Sequence, residues 1–138
     1  MRIRIIIPSR LHSDYINAEM CDLLRRELPA CGEAEIVDLS PDIVHIFGIW
    51  NSSFAKRVEA YRNIGVPVVF TSLDGILSLK KSSGGNTHSI TPTAAVRRVA
   101  KSGAIIHVCG KFERSTIIEV AKNANVRIIS NASPTATT

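Results

Sequence analysis

Pro41-Asp42-Ile43-Val44-His45-Ile46-Phe47-Gly48-Ile49-Trp50-Asn51 is the stretch on which the reading of the fold turns. Pro41 and Asp42 punctuate a start, residues 43–47 are an almost unbroken apolar run, and Gly48 ends it. The polar Asn51-Ser52-Ser53 then signals a helix N-terminus. A short apolar run bounded by Pro and Gly fits a strand buried on both faces, the condition of a strand inside a parallel sheet. A glycine just past such a strand, followed by the start of a helix, is how open α/β sheets shape a ligand crevice at their carboxyl edge. Gly48 and Trp50 are therefore the first candidate contact residues. Trp50 is either a core aromatic or a platform for a ring at the crevice mouth, and the sequence leaves the two open.

Working outward, residues 2–7 and 34–39 read as strands on the amino-terminal side. Between them Ile16, Met20, Leu23, Leu24 and Leu28 fall at helical spacing. Ser13 or Asp14 caps that helix, and Pro29 and Gly32 stop it. On the carboxyl-terminal side a helix is predicted over residues 53–64, with Phe54, Val58 and Tyr61 inward and Gly65 as its left-handed cap. Residues 66–71 form the next strand, with Pro67 confined to its beginning, where a missing donor does least harm. Residues 74–91 are irregular, polar and basic. Thr91-Pro92 then opens a helix in the favoured order, cap followed by Pro at the first helical position. Val96, Val99 and Ala100 form its apolar side and Gly103 ends it. A strand over 104–109, a helix over 112–124 and a strand over 126–129 complete the pattern.

Strands alternating with helices imply right-handed crossovers and a parallel sheet covered on both faces. The fold expected is α/β: a Rossmann-like three-layer αβα sandwich of about six strands, in the order 2-1-3-4-5-6. It forms a single domain over residues 1–131, and 132–138 (Ala-Ser-Pro-Thr-Ala-Thr-Thr) is expected as a disordered tail with nothing to bury. The strand order places the topological switch between strands one and three, so the crevice is expected beside Pro8-Ser9-Arg10 and Gly48-Ile49-Trp50.

Composition narrows the classes. With 138 residues, 45% hydrophobic and 21% charged, the chain suits one ordinary domain with a proper core. No apolar run nears the roughly 20 residues of a membrane span. The mixed charge of Met1-Arg2-Ile3-Arg4 is unlike a secretory leader, so the expected location is cytoplasmic. Cys21, Cys31 and Cys109 are an odd set with no zinc or redox spacing, and no metal site is expected. The net charge of +5 admits an anionic partner or a solvated basic surface. No aromatic–basic interleaving of the nucleic-acid kind is present, and no nucleic acid is expected as partner. Neither a Walker loop nor a GxGxxG turn occurs.

Individual residues carry two readings each. His45 and His107 read first as satisfied core histidines. Asp74-Gly75 is a turn signal, with Asp74 as the one candidate for binding an acceptor hydroxyl or acting as a base. Ser9 and Arg10 lie at the switch point, where Arg10 is either an ordinary surface residue or a phosphate ligand. Gly110 and Lys111 start a helix whose free N–H groups accept an anion or are simply capped. Lys80 and Lys81, with Arg97 and Arg98, form a basic cluster that reads as anion-binding or as a solvated face.

Four blocks also resemble the N-terminal domain of GT-B glycosyltransferases, the group that includes glycogen-synthase-like enzymes. Asp42-Ile43-Val44-His45-Ile46-Phe47-Gly48 is similar to the family's Asp-x-Val-His-x-x-Gly strand. Gly65-Val66-Pro67-Val68-Val69-Phe70-Thr71-Ser72-Leu73-Asp74-Gly75 resembles its Gly-Ile-Pro-Val-Val-x-Thr-x-His-Gly segment. Residues 104–113 and 125–131 resemble its two later strand blocks, in the same order. The sequence departs from the pattern at Pro8-Ser9-Arg10, where relatives carry a Gly-rich turn. Leu73-Asp74 stands where relatives carry His, and Asn131-Ala132 where they carry Asn-Gly.

The resemblance implies a retaining-type transferase half that presents an acceptor through Ser9, Arg10, Gly48, Trp50, Asp74 and Gly75. The acceptor would be a glycan or a lipid-linked sugar. The nucleotide-sugar donor would bind a C-terminal domain, in the same or a separate chain, which is the implied partner. This chain itself would hold no cofactor and would not transfer sugar alone. The resemblance also implies peripheral contact with a membrane through the basic cluster. The rival from another class is a flavodoxin- or receiver-like small-ligand binding module without catalysis, although the acidic residues a receiver needs after strand one are missing from Pro8-Ser9-Arg10.

Overall fold

The computed structural model describes residues 1–7, 26, 35–72 and 91–129. Six strands lie within these residues: β1 Arg2–Ile6, β2 Glu35–Ile36, β3 Ile43–Gly48, β4 Val68–Ser72, β5 Ile105–Val108 and β6 Asn125–Ile128. They form one sheet in the order β2-β1-β3-β4-β5-β6, and every pair is parallel. The architecture is the α/β Rossmann-like domain that the alternation predicts, with the expected strand order. Arg26 is helical, inside the helix predicted between β1 and β2; the rest of that helix, the irregular residues 74–90 and the tail lie outside the described residues.

Three helices link the later strands: α1 Ser52–Asn63, α2 Pro92–Lys101 and α3 Lys111–Val120. Each boundary has a local cause. The Asn51 side chain accepts a bond of 2.9 Å from the Phe54 N–H and so satisfies a first-turn donor of α1. At the other end Gly65 takes φ +83°, and the N–H groups of Gly65 and Val66 close back onto the Arg62 and Tyr61 carbonyls at 3.0 Å. That is a Schellman closure, and Pro67 just beyond it cannot continue the helix. It also delays β4 to Val68, two residues later than the apolar run suggests, because Val66 spends its N–H on the helix end and Pro67 has none. Thr91 caps α2 at Ala94, with Pro92 at the first helical position, and Gly103 leaves the helix at φ +87°.

Two elements are shorter than predicted by three residues or more. β2 pairs with β1 over only two residues, because residues 37–42 must cross to the other side of β1 to begin β3. Asp42 fixes that crossing by accepting the Arg2 N–H at 2.8 Å, while the Arg2 guanidinium donates to the Leu39 carbonyl at 3.1 Å. α3 ends at Val120 because Ala121 is already extended, at φ −139°. Lys122 and Asn123 then turn the chain into β6.

The register assigns side chains to faces. Val44, Ile46, Val68, Phe70, Ile106 and Val108 project toward the helix layer and join Ala55, Val58, Val96, Val99 and Ile117 in the main core. Phe47 points the other way, with Ile3 and Ile5. Ile46 and Phe47 are successive residues on opposite faces, and both are fully buried, as a strand covered on both sides requires.

Gly48 closes β3 against α1. A Cβ added there would meet the Phe54 ring at 2.5 Å, so the ring occupies the space a side chain would need. Gly48→Ala should destabilise the domain by about 1–3 kcal/mol through overpacking. Urea unfolding should show a lower midpoint at an unchanged slope.

Candidate functional site at the carboxyl edge of the sheet

The carboxyl ends of β3, β4 and β5 bring Trp50, Ser72, Cys109 and Glu113 around one cavity of about 30 Å³. Its walls are completed by Ile106, Val108 and Ile117 from the main core. That volume admits a single water or one small polar group, far below the several hundred Å³ of a pocket for a whole ligand. The described residues therefore make the floor of a crevice.

Trp50 resolves toward the core. It is 5% exposed and its ring lies 4.6 Å from that of Phe70, tilted by 43°. Ser72, the last residue of β4, carries a buried hydroxyl with no hydrogen-bond partner among the described residues. Such a group costs about 1–3 kcal/mol when left dry, so a polar guest is favoured beside it. At the N-terminus of α3, Gly110 offers no side-chain cap. Glu113 in the first turn reaches back and accepts the Cys109 N–H at 3.4 Å. The negative charge that this helix end attracts is supplied by the chain itself. Lys111 stands exposed beside it.

Behind the cavity runs a polar ladder across three strands, on the face away from the helices. His45 Nε2 lies 2.8 Å from Thr71 Oγ1, and Thr71 Oγ1 lies 2.9 Å from His107 Nδ1. His107 Nε2 is 3.0 Å from the Ile129 carbonyl. The polarity follows from its far end, because a carbonyl only accepts. His107 Nε2–H therefore donates to Ile129, and in the neutral ring Nδ1 accepts the Thr71 hydroxyl proton. The Thr71 oxygen in turn accepts His45 Nε2–H. The His45 ring stacks on Phe47 with centroids 4.2 Å apart. Burial, with the neighbouring His107 acting in the same direction, pushes the His45 imidazole down to about 4. Both histidines are half-buried at mid-strand positions, with His45 bonded through Nε2 and His107 through both ring nitrogens.

Of the crevice and helix-start residues singled out in the sequence, Gly48, Trp50, Gly110 and Lys111 fall within the described residues, and all four sit at this edge. Ser9, Arg10, Asp74, Gly75, Lys80 and Lys81 lie outside them. Arg98 does not join an anion site with Arg97: it forms an ion pair with Glu59 of α1, with its Nε 3.1 Å from the carboxylate. Arg97 donates to the Val120 carbonyl at 3.3 Å. Sequence reasoning missed Ser72, Thr71 and Glu113. A polar residue in each of three successive apolar strands was a signal, but only the register reveals that positions 45, 71 and 107 meet. No protein-family model, curated protein or solved structure matches this chain.

The lowered His45 value predicts an acid-sensitive fold. Above the ordinary value of 6.5 the ring is neutral in both states and its contribution is intact; as pH falls toward 4 the unfolded chain takes up a proton that the folded one refuses. Across that window stability should fall by about 3 kcal/mol. In His45→Gln the slope of urea stability against pH should flatten. Thr71→Val keeps the shape but strands a nitrogen on each ring, and should cost about 1–3 kcal/mol at neutral pH by the same measurement.

Proposed function

We propose that the chain is the acceptor-side domain of a GT-B glycosyltransferase, moving a sugar from a nucleotide-sugar donor to a glycan or lipid-linked acceptor. One observation carries this reading. The four sequence blocks that resemble the family are β3 with its turn, β4, β5 with the start of α3, and β6. They are four successive neighbours in one parallel sheet. Open parallel sheets bind ligands outside their carboxyl edge, where the first three blocks end. An acceptor would lie over the floor made by Trp50, Ser72 and Glu113. The unpartnered Ser72 hydroxyl suits a ligand rich in hydroxyl groups, because such a ligand both donates and accepts there.

The chemistry within the described residues supports presentation over bond-breaking. His107 has both ring nitrogens engaged, and His45 is held neutral by burial. Neither is placed to take a proton from an acceptor hydroxyl. Asp74 remains the candidate for that contact. Donor binding is assigned to the C-terminal domain of such enzymes, and this domain positions the acceptor against it.

Saturation-transfer NMR on the chain should show contact with neutral oligosaccharides and none with nucleotide sugars. Asp74→Asn should weaken glycan binding by about tenfold or more, as expected for loss of a hydrogen bond to a charged group. Binding of a flavin in place of glycans would replace this reading with a small-ligand module. Sugar transfer by the chain alone would refute the division of labour between two domains.

A further inference from the structure

The sheet has two edges, and they differ. At one end β2 pairs over two residues only, and so short an edge is itself a safeguard against further pairing. At the other end β6 pairs with β5 over Asn125–Ile128, and among the described residues nothing pairs with its outer side. Ile129 extends the inner ladder by donating its N–H to the Val108 carbonyl at 3.0 Å. Backbone groups alternate in direction along a strand, so the N–H and C=O groups of Val126 and Ile128 point away from β5. Residues 125–129 hold no proline, and the pairing with β5 runs without a bulge. Of the devices that blunt an edge, only the exposed charge of Arg127 is present.

Two large apolar side chains stand exposed on this edge, Ile128 at 40% and Ile129 at 64%. They lie on opposite faces. Ile128 is in register with Val108, on the helix side. Ile129 shares the other face with Arg127, which is in register with His107. A helix or loop laid on one face of the sheet would cover only one of the two. A strand alongside flanks both, and it also takes up the outward backbone groups of Val126 and Ile128.

From this we infer that β6 is a dimerisation edge, which pairs antiparallel with β6 of a second copy and joins two six-stranded sheets into one. A second copy is the occupant because the edge is complementary to itself. A two-fold axis perpendicular to the sheet brings the outward donors of each copy to the outward acceptors of the other, and keeps both helix layers on one side. An axis through Arg127 would set like charges directly opposite each other, which is destabilising. Moved to Ile128, the axis makes the two Ile128 residues a hydrogen-bonded pair and sets Ile129 of each copy opposite Arg127 of the other. No like charges then meet. The pairing also closes on itself, because it uses up β6 and leaves only the two-residue β2 at each outer end. This edge lies beyond β5 and apart from the crevice floor, so the inference goes beyond the acceptor reading and does not depend on it.

The test is sedimentation equilibrium of the full chain over a range of concentrations, which should show a reversible equilibrium between monomer and dimer. Position 129 then tests the register, and because Ile129 is exposed neither substitution there disturbs the core. Ile129→Lys places a cation opposite Arg127 of the second copy, and Ile129→Glu places an anion there, while both remove the same apolar side chain. Each change occurs twice in the dimer, so the two dissociation constants should differ by about tenfold or more, with the Glu variant the tighter. Ile128→Cys brings two thiols into range, since hydrogen-bonded opposite residues have Cα atoms about 5.5 Å apart, within the span of a disulfide. Mild oxidation should cross-link this variant as a dimer well beyond the unsubstituted chain, whose Cys21, Cys31 and Cys109 serve as the control. A chain that stays monomeric up to about 1 mM, or open-ended assemblies larger than a dimer, would overturn the proposal. So would equal dissociation constants for the two variants at 129, or cross-linking at 128 no greater than in the unsubstituted chain.

Discussion

Burial of β3 on both faces is the constraint from which the rest of this structure follows. Val44 and Ile46 are fully buried on the helix side and Phe47 on the other. Each such side chain contributes about 1.5–3 kcal/mol only while water is excluded from it. A strand in that position must be internal to the sheet, with parallel neighbours on both sides and layers above and below. Right-handed crossovers then send α1, α2 and α3 to one face as the chain steps from β3 to β4, β5 and β6. β1 lies on the far side of β3, which is why the direction of the sheet reverses there. Gly48 and its contact with Phe54 close the first crossover, and the Trp50 ring fills the space above Phe70.

Placing polar side chains in a sheet of this kind demands that they satisfy one another. His45, Thr71 and His107 do so in a single chain of donors that ends on a backbone carbonyl. Each bond joins two elements distant in sequence, so the ladder also reports that β3, β4, β5 and the residue after β6 are in register. An apolar trio would tolerate a slip more readily, because it has no direction to satisfy. Ser72 lies one residue beyond the ladder on the opposite face, and its hydroxyl has no partner among the described residues. The contrast separates two roles for polar residues at adjacent positions: Thr71 specifies the sheet, and Ser72 looks into the crevice.

Much of the fold was legible because its signals are local. Asn51, Thr91-Pro92, Gly65 and Gly103 act within a turn of the chain, and each ends an element where its own chemistry requires. The alternation of short apolar runs with amphipathic stretches pointed to a parallel sheet, and the strand order expected of such a sheet is the one observed. Lengths were less legible. β2 is cut short by a crossing set by Arg2 and Asp42, forty residues apart. The site was legible only in outline, because its content is register and rotamer. Trp50 turns inward for Phe70, Arg98 is consumed by Glu59, and Glu113 folds back on its own helix end; each outcome depends on a partner from another element or turn.

The charge distribution obeys the same logic from the outside. A helix layer that fills one side of a core with Ala, Val and Ile must place its polar residues on the opposite side, but nothing in packing selects their sign. An ordinary soluble surface would intersperse both signs, since mixed charge gives solubility without self-repulsion. Among the described residues, the exposed charged side chains of α1, α2 and α3 are cationic by six to one, while three exposed carboxylates lie in β2 and in the crossing to β3. Self-repulsion among like charges on adjacent helices lowers stability, and Glu59 relieves it at only one point, between α1 and α2. The core does not require that arrangement, so the sign of the layer can be changed at its exposed positions without repacking the helices.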